Sequence, residues 1–165
     1  MPRRVPNMIR AYTPADLDCI VDIGDRAWRD IYRMFRQTYG NALFSAIVPD
    51  ATISKGEQIR AHCQRHSEWV FICEEASCIV GFITFRLDIT TKIGTIGNNA
   101  VDPDCGLKGI GQQMYQAVLQ HCKEQGMRFA KVQTGLDEAH APARRAYERA
   151  GFDIRHEDVT YFKKL

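Results

Sequence analysis

Val101-Asp102-Pro103-Asp104-Cys105-Gly106-Leu107-Lys108-Gly109-Ile110-Gly111-Gln112-Gln113 joins two kinds of periodicity, and its reading decides the fold. Before it, residues 92–101 read as a strand that Pro103 ends, because proline has no N–H to give to a ladder. After it, Ile110, Met114, Tyr115, Val118, Leu119 and Cys122 recur at helical spacing, which predicts a helix over residues 109–125 closed by Gly126. Between the two lie three glycines, 106, 109 and 111, and Lys108. The first turn of a helix leaves backbone N–H groups unpaired and carries partial positive charge. Glycines there let an anionic group approach the main chain. The stretch has the chemistry of a phosphate or pyrophosphate site, with a ligand-free glycine-rich turn as the alternative.

Spacing narrows the ligand. The glycines run G-x-x-G-x-G, the reverse of the dinucleotide fingerprint G-x-G-x-x-G, and no Gly-Lys-Ser/Thr follows to make a mononucleotide P-loop. The arrangement resembles the pyrophosphate-binding loop of the GNAT acyl-CoA-dependent N-acetyltransferases, Gln/Arg-x-x-Gly-x-Gly/Ala, whose last five positions are met by Leu107, Lys108, Gly109, Ile110 and Gly111. Gly106 stands where that pattern has Gln or Arg. A second segment is similar to the family as well. Residues 129–134 read as a strand, and His140-Ala141-Pro142-Ala143-Arg144-Arg145-Ala146-Tyr147-Glu148-Arg149-Ala150-Gly151-Phe152 follows. It matches Asn-x-x-Ala-x-x-x-Tyr-x-x-x-Gly-Phe at Ala143, Tyr147, Gly151 and Phe152, with His140 at the Asn position. The resemblance runs from about residue 71 to the C-terminus and, more loosely, over the first strand and helix.

The resemblance implies an α/β fold of α+β type: three layers, α/β/α, with a central mixed, mostly antiparallel sheet splayed between strands 4 and 5. It implies acetyl-CoA as cosubstrate, with no metal. The pantetheine arm would pair with Asn99, Ala100 and Val101 like an added strand, and N–H groups near Asn99 and Ala100 would face the developing oxyanion. The pyrophosphate would rest on Leu107, Lys108, Gly109, Ile110 and Gly111, with His140, Ala143 and Tyr147 as further contacts. The missing Gln or Arg side chain at Gly106 forgoes a charge-assisted bond of about 1–3 kcal/mol. Tyr147 would protonate the departing thiolate, although Ala143, Ala146, Tyr147 and Ala150 also make one packing face of a helix. His140 is a cofactor contact, a base or an exposed residue at a helix start. No carboxylate stands on the fourth strand, where Gly97 is flanked by Ile96 and Asn98, so water, Asp137 or Glu138 remain as routes for the amine's proton. Trp28, Tyr32 and Phe35 are candidates for the acceptor wall or for core. Three functions follow in order: N-acetyltransferase acting on a primary amine by direct attack in a ternary complex, a non-catalytic CoA-binding or sensor module, and a small α/β domain acting through protein contacts.

Composition sets wider bounds. At 165 residues the chain reads as one domain, residues 1–165, with residues 1–7 as a flexible N-terminal tail. Hydrophobic content of 45%, charged content of 25% and a net charge of +2 are those of an ordinary globular protein and make no case for nucleic acid or acidic membranes. Six cysteines without a C-x-x-C pair suit reduced thiols in a cytoplasmic protein. His62 and His66 are four apart on a helix, but Cys63 stands where H-E-x-x-H needs a glutamate, so a solvated face is expected instead of a metal site. No run approaches the ~20 apolar residues of a membrane helix. The acceptor, a small molecule or a peptide, is left unidentified, and the oligomeric state stays open, a homodimer included.

Further strands are expected at residues 8–12, 69–74, 77–87, 152–156 and 159–163. Thr13-Pro14-Ala15-Asp16 has the form of a helix start. Helical spacing follows over residues 17–35, with Gly24 and Gly40 as interruptions, then over 42–47 and 54–66. Strands early and a β-α-β-α-β tail imply one mixed sheet covered by helices.

Overall fold

A computed structural model describes residues 8–165; the expected tail at residues 1–7 lies outside the described residues. Five helices, α1 (Leu17–Ala27), α2 (Arg29–Ile47), α3 (Ser54–Arg65), α4 (Ile110–Glu124) and α5 (Ala141–Arg149), cover a sheet of β1 (Met8–Ala11), β2 (Val70–Glu75), β3 (Cys78–Asp88), β4 (Ile93–Val101) and β5 (Phe129–Val132). Strand order follows chain order. β1 to β4 form an antiparallel meander, and β5 joins β4 in parallel after the α4 crossover. This is the expected mixed, mostly antiparallel sheet.

Strand alternation builds two cores from one sheet. Ile83 and Phe85 of β3 pack with Ile110, Met114 and Val118 of α4. Phe82, the residue before Ile83, points the other way and packs with Ile20, Ile23 and Ile59 of α1 and α3. Each such side chain, fully removed from water, contributes about 1.5–3 kcal/mol. The first turn opens with a capping box in which Asp16 accepts from the Thr13 amide at 2.8 Å and pairs with Arg10 at 2.8 Å. α1 continues through Gly24 to Trp28, so the expected interruption falls four residues later. Gly40 (φ 75°) does kink α2.

The two expected C-terminal strands do not form. After Ala150 the chain has no regular element, and Ile154, Val159 and Tyr161 are exposed. The alternation is there in the sequence, but strand propensity needs a partner face to act on. The local charges close on themselves, Arg155 on Glu157 and His156 on Asp158. Among the described residues β5 therefore has only β4 as a neighbour. All six cysteines are free, with Cys63, Cys73 and Cys122 buried and Cys19 and Cys78 exposed.

Candidate active site

β4 changes character at Gly97-Asn98. Ile96 pairs with Phe85 and Asn99 with Ile83, so two residues of β4 oppose Thr84 alone. This is a β-bulge, which bends the strand and increases its twist. Thr84 Oγ1 closes it by donating to the Asn98 carbonyl at 2.9 Å, and a Cβ on Gly97 would come within 2.7 Å of that same oxygen. Pairing with β5 ends at Ile96–Val132, and β4 runs on to Val101 without β5 beside it. The splay expected between strands 4 and 5 thus begins at the bulge.

Register shows which amides face the gap. The Asp102 N–H donates to the Val80 carbonyl at 2.8 Å. Hydrogen-bonded pairs alternate along an antiparallel ladder, so Ala100 is turned to β3 through its partner Phe82, while Asn99 and Val101 present their main-chain groups to the open side. Of the three residues expected to line the arm, Ala100 has its N–H on the wrong edge and its side chain buried on the α1 face.

Asn99 also anchors two phenols. Its Nδ2 donates to Tyr147 Oη at 3.2 Å and to the Gly97 carbonyl at 3.0 Å, and its Oδ1 accepts from Tyr115 Oη at 3.0 Å. The two rings lie 5.1 Å apart and both are buried. Burial, with Tyr147 next to it, pushes the Tyr115 hydroxyl well above its ordinary pKa, so it stays protonated and donates. A phenol both donates and accepts. Tyr147 accepts from Asn99, which leaves its own hydrogen for the Tyr115 oxygen or for a ligand. In sequence Tyr115 reads only as one position of an apolar helix face. Its signal would have been the spacing from Gly111, whose absent Cβ would touch the Tyr115 ring at 3.7 Å.

The turn before α4 is open. Gly109, the residue preceding the helix, has φ 82° and no side chain caps the first turn. A left-handed residue with a Cβ costs roughly 1–2 kcal/mol. A Cβ on Gly109 would meet nothing within 4 Å, so its outer side is free. Ile110 is buried and anchors the turn, Leu107 packs on the core, and Lys108 is exposed. Arg26 of α1 holds the other end of the loop, donating to Asp102 at 2.8 Å and Asp104 at 2.7 Å. Asp102 is held below the usual carboxylate range chiefly by that bond.

α5 is tied to α4 by Gln112 Nε2 donating to the Ala146 carbonyl at 2.7 Å, and Ala143 and Ala146 pack on the same core as Tyr147. At its start the Asp137 carboxylate accepts from the His140 amide at 3.0 Å and from Nδ1 at 2.7 Å. Burial pushes Asp137 up, the bonds from His140 outweigh it, and the net direction is down. An ionised carboxylate only accepts, so Nδ1 carries the proton and Nε2 is the nitrogen left over. Arg144 braces the turn through the Gly135 and Asp137 carbonyls, and the imidazole lies 6.1 Å from the Phe35 ring. Glu138 is exposed. His140 and Tyr147 are two helical turns apart, about 10 Å.

Asn98 faces the opposite side of the sheet. Its Oδ1 accepts from Lys55 Nζ at 3.0 Å, Gln58 Oε1 accepts from the same nitrogen at 2.8 Å, and the Trp28 ring lies 4.3 Å from it. Lys55 is only 7% exposed, and burial pushes its pKa down to about 8. Trp28 therefore covers a cation, Tyr32 packs in a separate core with Phe44, and Phe35 meets His140. His62 Nε2 is bonded to the Trp69 carbonyl and His66 stacks on Trp69, so neither histidine is a solvated face residue. Among the described residues no group of three or more His, Cys, Asp or Glu is placed to hold a metal, and no helix is long and apolar enough to cross a membrane.

Comparison with known proteins agrees with this geometry. A model of the acetyltransferase (GNAT) family matches residues 28–152. Over 94 residues, 54% of the chain, the sequence is 31% identical to the mycothiol acetyltransferase of Segniliparus rotundus, and the match spans 35% of that relative's length. The PaiA N-acetyltransferase of Thermoplasma acidophilum, solved with coenzyme A, superposes with a TM-score of 0.70 at 16% identity, covering 93% of this chain and 94% of that one. A GNAT acetyltransferase of Brucella melitensis, solved with acetyl-CoA, gives 0.61 at 21% identity over 90% and 84%. At these identities the structural likeness is one of fold.

Proposed function

The chain belongs to the GNAT family of acetyltransferases, and from that premise we propose that it moves an acetyl group from acetyl-CoA to a primary amine by direct attack in a ternary complex. The observation that carries the reading is the open edge of β4, where Asn99 and Val101 present unpaired main-chain groups that lead straight to the bare first turn of α4.

Acetyl-CoA supplies the activated acyl group. The unpaired amides at the start of α4 hold the diphosphate, with the left-handed turn at Gly109 keeping side chains out of the way. Asn99 and Val101 bind the pantetheine amides as a neighbouring strand would. The Asn99 N–H, fixed beside the bulge, stabilises negative charge on the thioester oxygen without having to reorganise. Tyr147 gives its hydroxyl proton to the departing sulfur. A phenol of pKa ~10 is a weaker acid than a thiol of ~8.5, so Tyr147 works by position, which Asn99 and the Tyr115 ring supply. His140, with Nδ1 committed to Asp137 and two helical turns from Tyr147, takes the amine's proton at Nε2 through intervening water. The free cysteines are in keeping with a single domain working in the reducing cytoplasm.

Titration calorimetry with acetyl-CoA, followed by thiol release with an amine panel, tests the reading. Saturable binding and amine-dependent thiol release are expected, and absence of acetyl-CoA binding overturns it. A second reading, a CoA-binding module without turnover, is favoured by Gly106 and by a β4 free of carboxylates; binding with no thiol release for any amine would select it.

A further inference from the structure

On the face of the sheet away from Tyr147, a cavity of about 290 Å³ opens between α3, β3 and the bulge of β4, with Gln58, His62, Arg65, Arg86, Gly97 and Asn98 among its walls. No carboxylate lines it. Neither Arg65 nor Arg86 forms an ion pair among the described residues, so both charges are free for a ligand. Two arginines without an ion-pair partner among the described residues therefore line one concave site.

Lys55 makes the remaining walls one-sided. An amide side chain offers an oxygen that accepts and a nitrogen that donates. The buried ammonium takes the oxygens of both Asn98 and Gln58. With both oxygens turned to the ammonium, the N–H groups are the ends of the two amides directed away from it. His62 donates Nε2 to the Trp69 carbonyl, and burial lowers its pKa, so it adds no standing charge. The lining thus offers amide N–H groups and two cations, and its acceptors are neutral ones, the Thr84 hydroxyl oxygen and His62 Nδ1.

Position says which part of a ligand it serves. Its floor is Gly97-Asn98, where β4 leaves β5, one residue before Asn99. The phosphates of the cosubstrate belong at the other end of the open stretch, beyond Val101. Arg86 pairs with Thr95, on the far side of the bulge. At about 3.3 Å per strand residue, Thr95 and the turn after Val101 lie roughly 20 Å apart. A cavity of this size holds a small group and little more.

We infer that this cavity is the acceptor's anion subsite, so that the preferred acceptor is a primary amine that carries a carboxylate or a phosphate, not a polyamine or an aminoglycoside. The inference rests on the acetyltransferase reading, and Lys55 enters as a positioning residue that orients two amides.

The experiment uses the whole chain and four amines: 4-aminobutyrate, 2-aminoethyl phosphate, butylamine and 1,4-diaminobutane. Calorimetry first measures acetyl-CoA affinity; kcat/KM for thiol release and acceptor affinity with CoA present are then compared. An anionic amine should exceed butylamine at least tenfold, with the diamine lowest, and the first two probes separate carboxylate from phosphate. Arg65→Gln/Arg86→Gln should bring the anionic amines down to butylamine while acetyl-CoA affinity and butylamine turnover stay unchanged. Either single variant should give a partial loss. Acetyl-CoA binding with no preference for an anionic amine, or a preference that survives the double variant, overturns the subsite and leaves the acetyltransferase reading standing. Loss of acetyl-CoA binding in the wild type overturns that reading and the subsite with it.

Discussion

Asn98 and Asn99 are adjacent in the chain and sit on surfaces of opposite electrostatic design. Asn99 is held between two buried phenols, a network satisfied by hydrogen bonds alone. Asn98 is held by a buried ammonium, with two guanidiniums beyond it. Neutral, oriented dipoles suit a place where charge appears only during reaction, because they need not compensate a permanent ion in the resting state. A standing positive field suits a ligand that arrives charged. The bulge lets one strand serve both, since an extra residue shifts the alternation of side chains between faces.

The largest effect should come from the cofactor side. Gly109→Glu imposes a strained left-handed residue and sets a carboxylate at the turn proposed to receive the diphosphate. Acetyl-CoA affinity by calorimetry should fall at least a thousandfold, with the far-UV circular dichroism unchanged. Retained affinity would show that the diphosphate lies elsewhere.

On the other side the expected effect is on stability, and it depends on pH. Lys55 titrates at about 8 in the fold against its ordinary 10.5. Below pH 8 both states hold the proton. Between about 8 and 10.5 the unfolded chain keeps a proton that the folded one has released, so stability rises with pH across that window. The full rise is about 3 kcal/mol. Lys55→Met should lack it. Urea unfolding of both proteins at pH 7 and pH 10 should therefore show the wild type gaining on the variant as pH increases. A pH-independent difference would mean that the ammonium is well solvated.

Tyr147→Phe sharpens the contrast at a third site. It keeps the ring against Tyr115 and Phe152 and removes the hydroxyl. We expect kcat to fall roughly a hundredfold, within the usual range for a proton donor, with acetyl-CoA affinity altered less than twofold. Tyr115→Phe should cost only a few-fold, because it removes the bond that orients Asn99 and not the group that donates. Equal losses for the two variants would make the pair a packing unit.

What could be read from the chain and what could not follows the range of the interactions. The strand-turn-helix around Gly109 was legible because proline, glycine and a helical period act on neighbouring residues. Tyr147 was legible through its spacing from Gly151-Phe152. Gly97 stood out as a weak point of its strand, but its meaning needed the register against Thr84, which lies on another strand. Nothing local distinguishes Asn98 from Asn99, or the buried Lys55 from any other lysine on a polar helix. Tyr115 was hidden because a core position and a site position share one helix face. The segment 152–163 misled because alternation states a preference for extended chain and cannot supply the strand to pair with.

Arg26 couples the two surfaces and should give the smallest effect. It belongs to α1, on the Asn98 side, and reaches Asp102 and Asp104 in the loop that leads to Gly109. The pairs with Asp104 and Asp22 are solvent-exposed on the carboxylate side and contribute little. The one with Asp102 is better shielded and also fixes a loop end, since Asp102 Oδ1 accepts from the Asp104 amide at 2.9 Å. Removing the guanidinium leaves two unneutralised carboxylates next to the turn proposed to receive the diphosphate. Arg26→Ala should therefore weaken acetyl-CoA binding about three- to tenfold at low salt. The loss should shrink in high salt, where charges more than a Debye length apart are screened. Adding Asp102→Asn should recover part of the affinity if repulsion is the cause, and none if the loop has merely come loose. The sign of the second step decides, because a lost tether makes Asp102→Asn neutral in the Arg26→Ala background whereas relieved repulsion makes it favourable.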